Sequence, residues 1–163
     1  MPSTGEVRRD GQDLATEHKP EHKPRNREKP MNRGDRYEHG LKVLNEVDGE
    51  AGQRVVDSLA AVSPELGHQV VAWAFGDMYA RPELSPRDRQ LVTLGVLTAL
   101  GGCEIELDVH VNGALNVGLT TTEIAEALLH SAVYAGIPRS INATLVAKKV
   151  FTERGLPPVQ NLS

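Results

Sequence analysis

Glu106 and His110 stand four residues apart in Glu106-Leu-Asp-Val-His110. On a helix that spacing places a carboxylate and an imidazole on one face. A carboxylate beside a histidine orients the ring and raises its basicity, which makes a proton shuttle at neutral pH. An exposed Glu–His pair is more often a solvated helix face than a catalytic one, so the pair has to be read with its surroundings. Around it, from Cys103 to Val117, acidic, apolar and small residues recur at helical spacing.

The elements that must position the pair read as helices. Tyr37, Leu41 and Leu44 recur at helical spacing, as do Val55, Val56 and Leu59. Ser63-Pro64 predicts an N-cap with proline at the first helical position. Leu66, Val70, Trp73 and Ala74 then share one face. Ser85-Pro86-Arg87-Asp88 repeats the start signal with an acidic residue at the capping-box position. The run Leu91 to Leu100 is apolar nearly all round and is expected to be buried, with Gly95 and Ala99 allowing close helix approach. Gly101-Gly102 ends it. The next helix runs from about Cys103 to Gly118. Thr120-Thr-Thr-Glu123 is a capping box for another, closed by Gly136. Pro138 starts a last helix that Gly155 ends. No strand is expected, so the fold class is all-α.

Composition agrees. The chain has 163 residues, of which 39% are hydrophobic and only 4% aromatic, so its core must be Leu, Val and Ala packed between helices. One domain is expected. Residues 1–34 are charged and proline-rich, with Glu17-His-Lys-Pro20 repeated as Glu21-His-Lys-Pro24, and are expected to form a disordered extension. The helical domain is assigned to 35–155 and an irregular tail to 156–163. A single cysteine excludes an internal disulfide framework and fits a reducing cytoplasm. No apolar run is long enough to span a bilayer, and Arg8-Arg9 lacks the apolar segment of an export signal. A net charge of −4 gives no reason to expect nucleic acid as a partner. No metal site is expected.

Three segments carry a resemblance. Ser85-Pro-Arg-Asp-Arg-Gln-Leu-Val-Thr-Leu-Gly-Val-Leu-Thr-Ala-Leu-Gly-Gly102, Glu106-Leu-Asp-Val-His-Val-Asn-Gly-Ala-Leu-Asn-Val-Gly118 and Leu129-His-Ser-Ala-Val-Tyr-Ala-Gly-Ile-Pro138 resemble the carboxymuconolactone decarboxylase family. Trp73-Ala-Phe-Gly-Asp-Met-Tyr-Ala-Arg-Pro82 resembles the Arg-Pro-ended segment of its true decarboxylases, and Asp35-Arg-Tyr-Glu-His-Gly-Leu-Lys-Val43 their opening helix. The similarity runs from Asp35 to Arg154. It implies an alkyl hydroperoxidase D-like helical bundle and an obligate homo-oligomer, a homotrimer or homohexamer with sites near subunit contacts. It also implies cofactor-independent decarboxylation of a small carboxylate lactone, 4-carboxymuconolactone. The protein must then stabilise the charge left on the lactone and deliver a proton to carbon.

In that reading His110 is the acid and Glu106 supports its protonated form. His130, in an otherwise apolar helix, is a second catalytic candidate, against the blander reading of a core histidine bonded to a carbonyl. Tyr134, one turn on, shares its pocket or fills the core. Arg81 either clamps a substrate carboxylate or complements a helix dipole, and Arg139 is a further cation for the substrate. Family members often have Gly-Arg at Gly101-Gly102, a basic residue at Asn112, an acidic one at Gln90 and Asn-Asn-Gly at Asn116-Val-Gly118. These departures bear on substrate. The alternative is therefore a relative repurposed to decarboxylate, isomerise or cyclise another small molecule. A thiol peroxidase is the rival class. Its Cys-x-x-Cys-x-x-x-His pattern here reads Cys103-Glu-Ile-Glu106-Leu-Asp-Val-His110, without a second thiol for a dithiol cycle. A non-catalytic oligomeric module is the remaining class, since a fold does not fix a function.

Overall fold

The computed structural model describes residues 30–157 and 159; the expected disorder of the N-terminal extension falls on residues that lie almost wholly outside that range. Among the described residues all regular structure is helical, as expected. Helix α1 spans Arg33–Val47, capped by the Asn32 side chain on the Asp35 N–H. It ends at Asp48, and Gly49, at φ +57°, turns the chain into α2, Gly49–Leu59. An Asp-Gly pair suits this corner because glycine enters the left-handed region without a Cβ penalty. Helix α3, Pro64–Gln69, follows Ser63, whose side chain makes no capping hydrogen bond.

Helix α3 runs on without a break into a π-helical stretch, Val70–Tyr79. The wider turn, seen at its end in the bond from the Ala80 N–H to the Phe75 carbonyl (3.1 Å), upsets the expected α-helical face. Val71, Ala72, Phe75 and Gly76 turn inward, while Trp73 is 55% exposed. Gly40 of α1 lies against this stretch so closely that a Cβ there would sit 2.0 Å from the Val71 carbonyl oxygen.

Helices α4 (Pro86–Leu100), α5 (Glu104–Asn116), α6 (Thr121–Ala135) and α7 (Ile137–Glu153) complete the chain. Ser85 caps α4 through the Asp88 N–H, and Thr120 with Glu123 forms the expected capping box of α6. One core cluster joins α4 to α7 around Leu94, Val111, Ile124, Leu128 and Val150. A second joins α1, α2 and the π-helical stretch around Leu44, Val47, Val56, Val71 and Phe75. Helix α5 packs against both halves. The expectation that α4 is buried all round needs correction for the single chain: Leu94 and Thr98 are buried, but Val92, Val96 and Leu100 are exposed.

Candidate active site

His110 sits in the middle of α5, its side chain 19% exposed, at the edge of a largely apolar cavity of about 400 Å³. Leu44, Val55, Val70, Phe75 and Tyr79 line much of it. Glu106 lines the same cavity, as its spacing predicts. The hydrogen bond to the His110 ring, however, comes from elsewhere. His110 Nδ1 lies 3.1 Å from Gln90 Oε1, and Gln90 Nε2 donates to Asp48 Oδ1 at 2.9 Å. Asp48 Oδ2 is itself 3.8 Å from His110 Nδ1. No Glu106–His110 hydrogen bond occurs among the described contacts, so the carboxyl that orients the imidazole in this geometry is Asp48, through Gln90.

Three elements converge to build this row. Asp48 is held at the α1–α2 corner, its N–H bonded to the Leu44 carbonyl. Gln90 comes from the first turns of α4 and is fully buried. Helix α5 supplies His110 and, one turn later, Gly113. A Cβ on residue 113 would sit 2.2 Å from Asp48 Oδ1 and 2.7 Å from Gln90 Nε2. Glycine is therefore what lets the Asp48 carboxyl and the Gln90 amide meet beside the helix. Asp48 is only 2% exposed. Burial raises its pKa to about 7, against the Gln90 hydrogen bond, which acts in the opposite direction. Burial also lowers the His110 pKa to about 4. Both groups are thus pushed toward their neutral forms.

Tyr79 and Thr93 add a pair of hydroxyls to the cavity, their oxygens 3.0 Å apart. Burial raises the Tyr79 pKa, so its phenol stays a neutral donor. Sequence reading did not single out Asp48, Tyr79 or Thr93, and named Gln90 only as a departure from the family pattern. No local signal marks Asp48, because its partners lie 42 and 62 residues away.

The other candidates lie apart from this cavity in the single chain. His130 and Tyr134 pack edge to face at 5.4 Å, but both are exposed on α6, Tyr134 to 81%. His130 is therefore not a core histidine. Arg81 is exposed, pairs with Glu83 at 3.4 Å and lines a separate hollow beside Tyr79. Arg139 donates to the carbonyls of Ala99 and Leu100, closing the end of α4. Cys103 precedes α5, half-buried. Among the described residues no group of three or more His, Cys, Asp or Glu side chains could hold a metal ion.

An all-helical scaffold carrying a histidine on an apolar cavity, with an amide and a carboxyl behind the ring, has the chemical make-up of a candidate small-molecule site. Residues 64–149 match the carboxymuconolactone decarboxylase family. The chain is 38% identical to a 4-carboxymuconolactone decarboxylase of Acinetobacter baylyi over 78% of its own length and 96% of the relative's. It is 36% identical to the nitrosuccinic acid decarboxylase npaB of Metarhizium robertsii over 72% of its length and 82% of the relative's. The chain belongs to the carboxymuconolactone decarboxylase family.

Proposed function

We propose that this protein is a carboxy-lyase that decarboxylates a small carboxylate in the His110 cavity, with 4-carboxymuconolactone as the first substrate to test. The observation that carries the reading is His110 on the cavity wall with Nδ1 engaged by Gln90, which leaves Nε2 for a ligand. As the C–CO2 bond breaks, its electron pair enters the conjugated lactone and CO2 leaves. The pair then takes a proton at carbon, so each turnover consumes one proton. His110 Nε2 delivers it, and the Tyr79 hydroxyl, turned from Thr93 Oγ1 toward the substrate, stabilises developing oxygen charge. Glu106, on the same wall without a bond to the ring, supports the imidazole when it is protonated. The lactone is its own electron sink, so the reaction as proposed uses no cofactor.

A second reading keeps the chemistry and changes the substrate. The near-equal identity to a nitrosuccinic acid decarboxylase favours it, since a nitro group is also an electron sink. Among the described residues no Lys or Arg lines this cavity. A dicarboxylate needs a cation, and an oligomer supplies one route to it. Val92 and Leu100 of α4, Leu129 and Val133 of α6, and Ile141 and Leu145 of α7 are all exposed. This breadth of apolar surface supports a homotrimer or homohexamer. His130, Tyr134, Arg81 and Arg139 then belong to sites shared between subunits. No helix among the described residues is long and apolar enough to cross a membrane, and the lone cysteine fits a cytoplasmic protein.

The test is steady-state kinetics on 4-carboxymuconolactone and on nitrosuccinate. His110→Ala should lower kcat about a hundredfold or more with the fold intact, the usual scale for a general acid. Glu106→Gln should do less harm, and His130→Ala should fall between them if a subunit contact brings it to the site. Wild-type turnover of nitrosuccinate alone would select the second reading. A folded His110→Ala with near-normal kcat would falsify the proton-transfer role.

A further inference from the structure

Behind the His110 ring lies the buried carboxyl of Asp48. Its only side-chain hydrogen bond among the described residues is the one from Gln90. The groups that face it are few. Arg54 and Glu50 of α2, with Arg154 beyond α7, stand across a polar hollow whose wall Asp48 forms. Tyr79 of the π-helical stretch and Glu106 of α5 share the cavity on the other side. No cation is bonded to Asp48 in the described contacts.

We propose that Asp48 is a positioning residue that sets, through the Gln90 amide, which nitrogen of His110 carries the proton, and that supplies the imidazole with the proton each decarboxylation consumes. The inference rests on the decarboxylase reading for its second half only. The first half follows from the geometry. A primary amide has an oxygen on one side and an NH2 on the other, and turning it over leaves both bonded positions in place. In one orientation, Gln90 Nε2 donates to an ionised Asp48 and Oε1 accepts from Nδ1–H. The outward nitrogen, Nε2, is then bare. In the other orientation, a protonated Asp48 donates to Oε1 and the amide NH2 donates to a bare Nδ1. Nε2 then carries the proton. Asp48 protonated thus makes His110 an acid toward the cavity, and Asp48 ionised makes it a base.

The proton count closes. The site begins with one proton on Asp48 and one on Nε2. The Nε2–H bond breaks toward the substrate carbon, its electron pair staying on nitrogen, while the Asp48 O–H protonates Gln90 Oε1 and an amide N–H proton passes to Nδ1; the imidic acid so formed reverts to the amide, turned over. Asp48 is left ionised and His110 neutral with Nδ1–H. After product leaves, Nε2 takes a proton from water and Nδ1 returns its own to Asp48. The ring is a cation only in this last step, as suits a buried imidazole whose pKa is held down. The raised pKa of Asp48 lets the carboxyl hold a proton at neutral pH.

Nitrogen-15 NMR of the His110 ring tests this without substrate. The resonance is assigned by comparison with His110→Gln, and the two tautomers have distinct shifts. In the wild-type protein the Nε2–H form should dominate at pH 6 and the Nδ1–H form at pH 8. In Asp48→Asn the tautomer should not change between those values. Kinetics on 4-carboxymuconolactone should show kcat at least tenfold lower in Asp48→Asn with little change in KM. A wild-type ring that keeps one tautomer from pH 6 to pH 8 overturns the proposal. So does an Asp48→Asn ring that still switches. Should Asp48→Asn not fold, the wild-type titration decides alone. Should the wild type be inert on both the lactone and nitrosuccinate, the functional reading fails, while the tautomer measurement still decides the role of Asp48.

Discussion

His110 and Asp48 both depart from the pKa of a solvated side chain, and burial is the main cause of each. The departures have opposite effects on stability. His110 falls from 6.5 to about 4, so between those values the unfolded chain binds the extra proton and stability rises with pH. Asp48 rises from 3.8 to about 7, so between those values the folded chain binds the extra proton and stability falls with pH. Over their shared range the two nearly cancel, because the pair holds about one proton in either state. Breaking the pair should expose each half. Thermal denaturation of Asp48→Asn should show a Tm that rises from pH 4 to pH 6.5, and His110→Gln a Tm that falls from pH 4 to pH 7. Equal slopes in both variants would contradict the assignment. Gly113 belongs to the same argument. Gly113→Ala adds a methyl where the Asp48 and Gln90 atoms now sit. It should cost about 1–3 kcal/mol by chemical denaturation, despite the better helix propensity of alanine.

At the scale of elements, the site depends on how two glycines let α1 meet the π-helical stretch. The methyl of Gly40→Ala would overlap the Val71 carbonyl, and the Cβ of Gly76→Ala would stand 2.9 Å from the Arg36 carbonyl oxygen. Backbone cannot yield as a flexible side chain does. Gly40→Ala should therefore destabilise by about 2 kcal/mol or more and move Phe75 and Tyr79, raising KM. Thr120→Ala offers a contrast. It removes the α6 capping box, far from the cavity, and should cost about 1 kcal/mol without touching KM. Differential scanning calorimetry paired with kinetics separates the two outcomes.

At the scale of the whole molecule, α6 and α7 expose a run of large apolar side chains among the described residues, a feature that marks interaction surfaces when the patch is contiguous. Val133 is 74% exposed beside Leu129 and Tyr134, and Ile137 and Ile141 continue onto α7. Val133→Asp places a charge in the middle of that face. If the face joins subunits, light scattering should show the oligomer reduced to monomers, and burying an unpaired charge is the reason. If the wild type is itself a monomer at micromolar concentration, the subunit reading is wrong, and His130 and Tyr134 lose their connection to a site.

What the sequence determined by itself is local. Helix starts at Ser85 and Thr120, the stops at Gly101, Gly118 and Gly136, and the Glu106–His110 spacing all follow from interactions within about four residues, which a linear reading captures. The family pattern was legible for the same reason: its motifs are contiguous. What only the tertiary structure decided is the set of partners. The π-helical stretch turned Trp73 outward because the close approach of α1 and the wider turn are invisible to a 3.6-residue period. His110 was expected to answer to the carboxylate one turn away, but its ring meets Gln90 and, behind it, Asp48. That choice depends on a corner at Gly49, a missing Cβ at Gly113 and the exclusion of water from three helices packed together. None of these is a property of neighbouring residues, and together they bury Asp48 and His110 and so shift both pKa values.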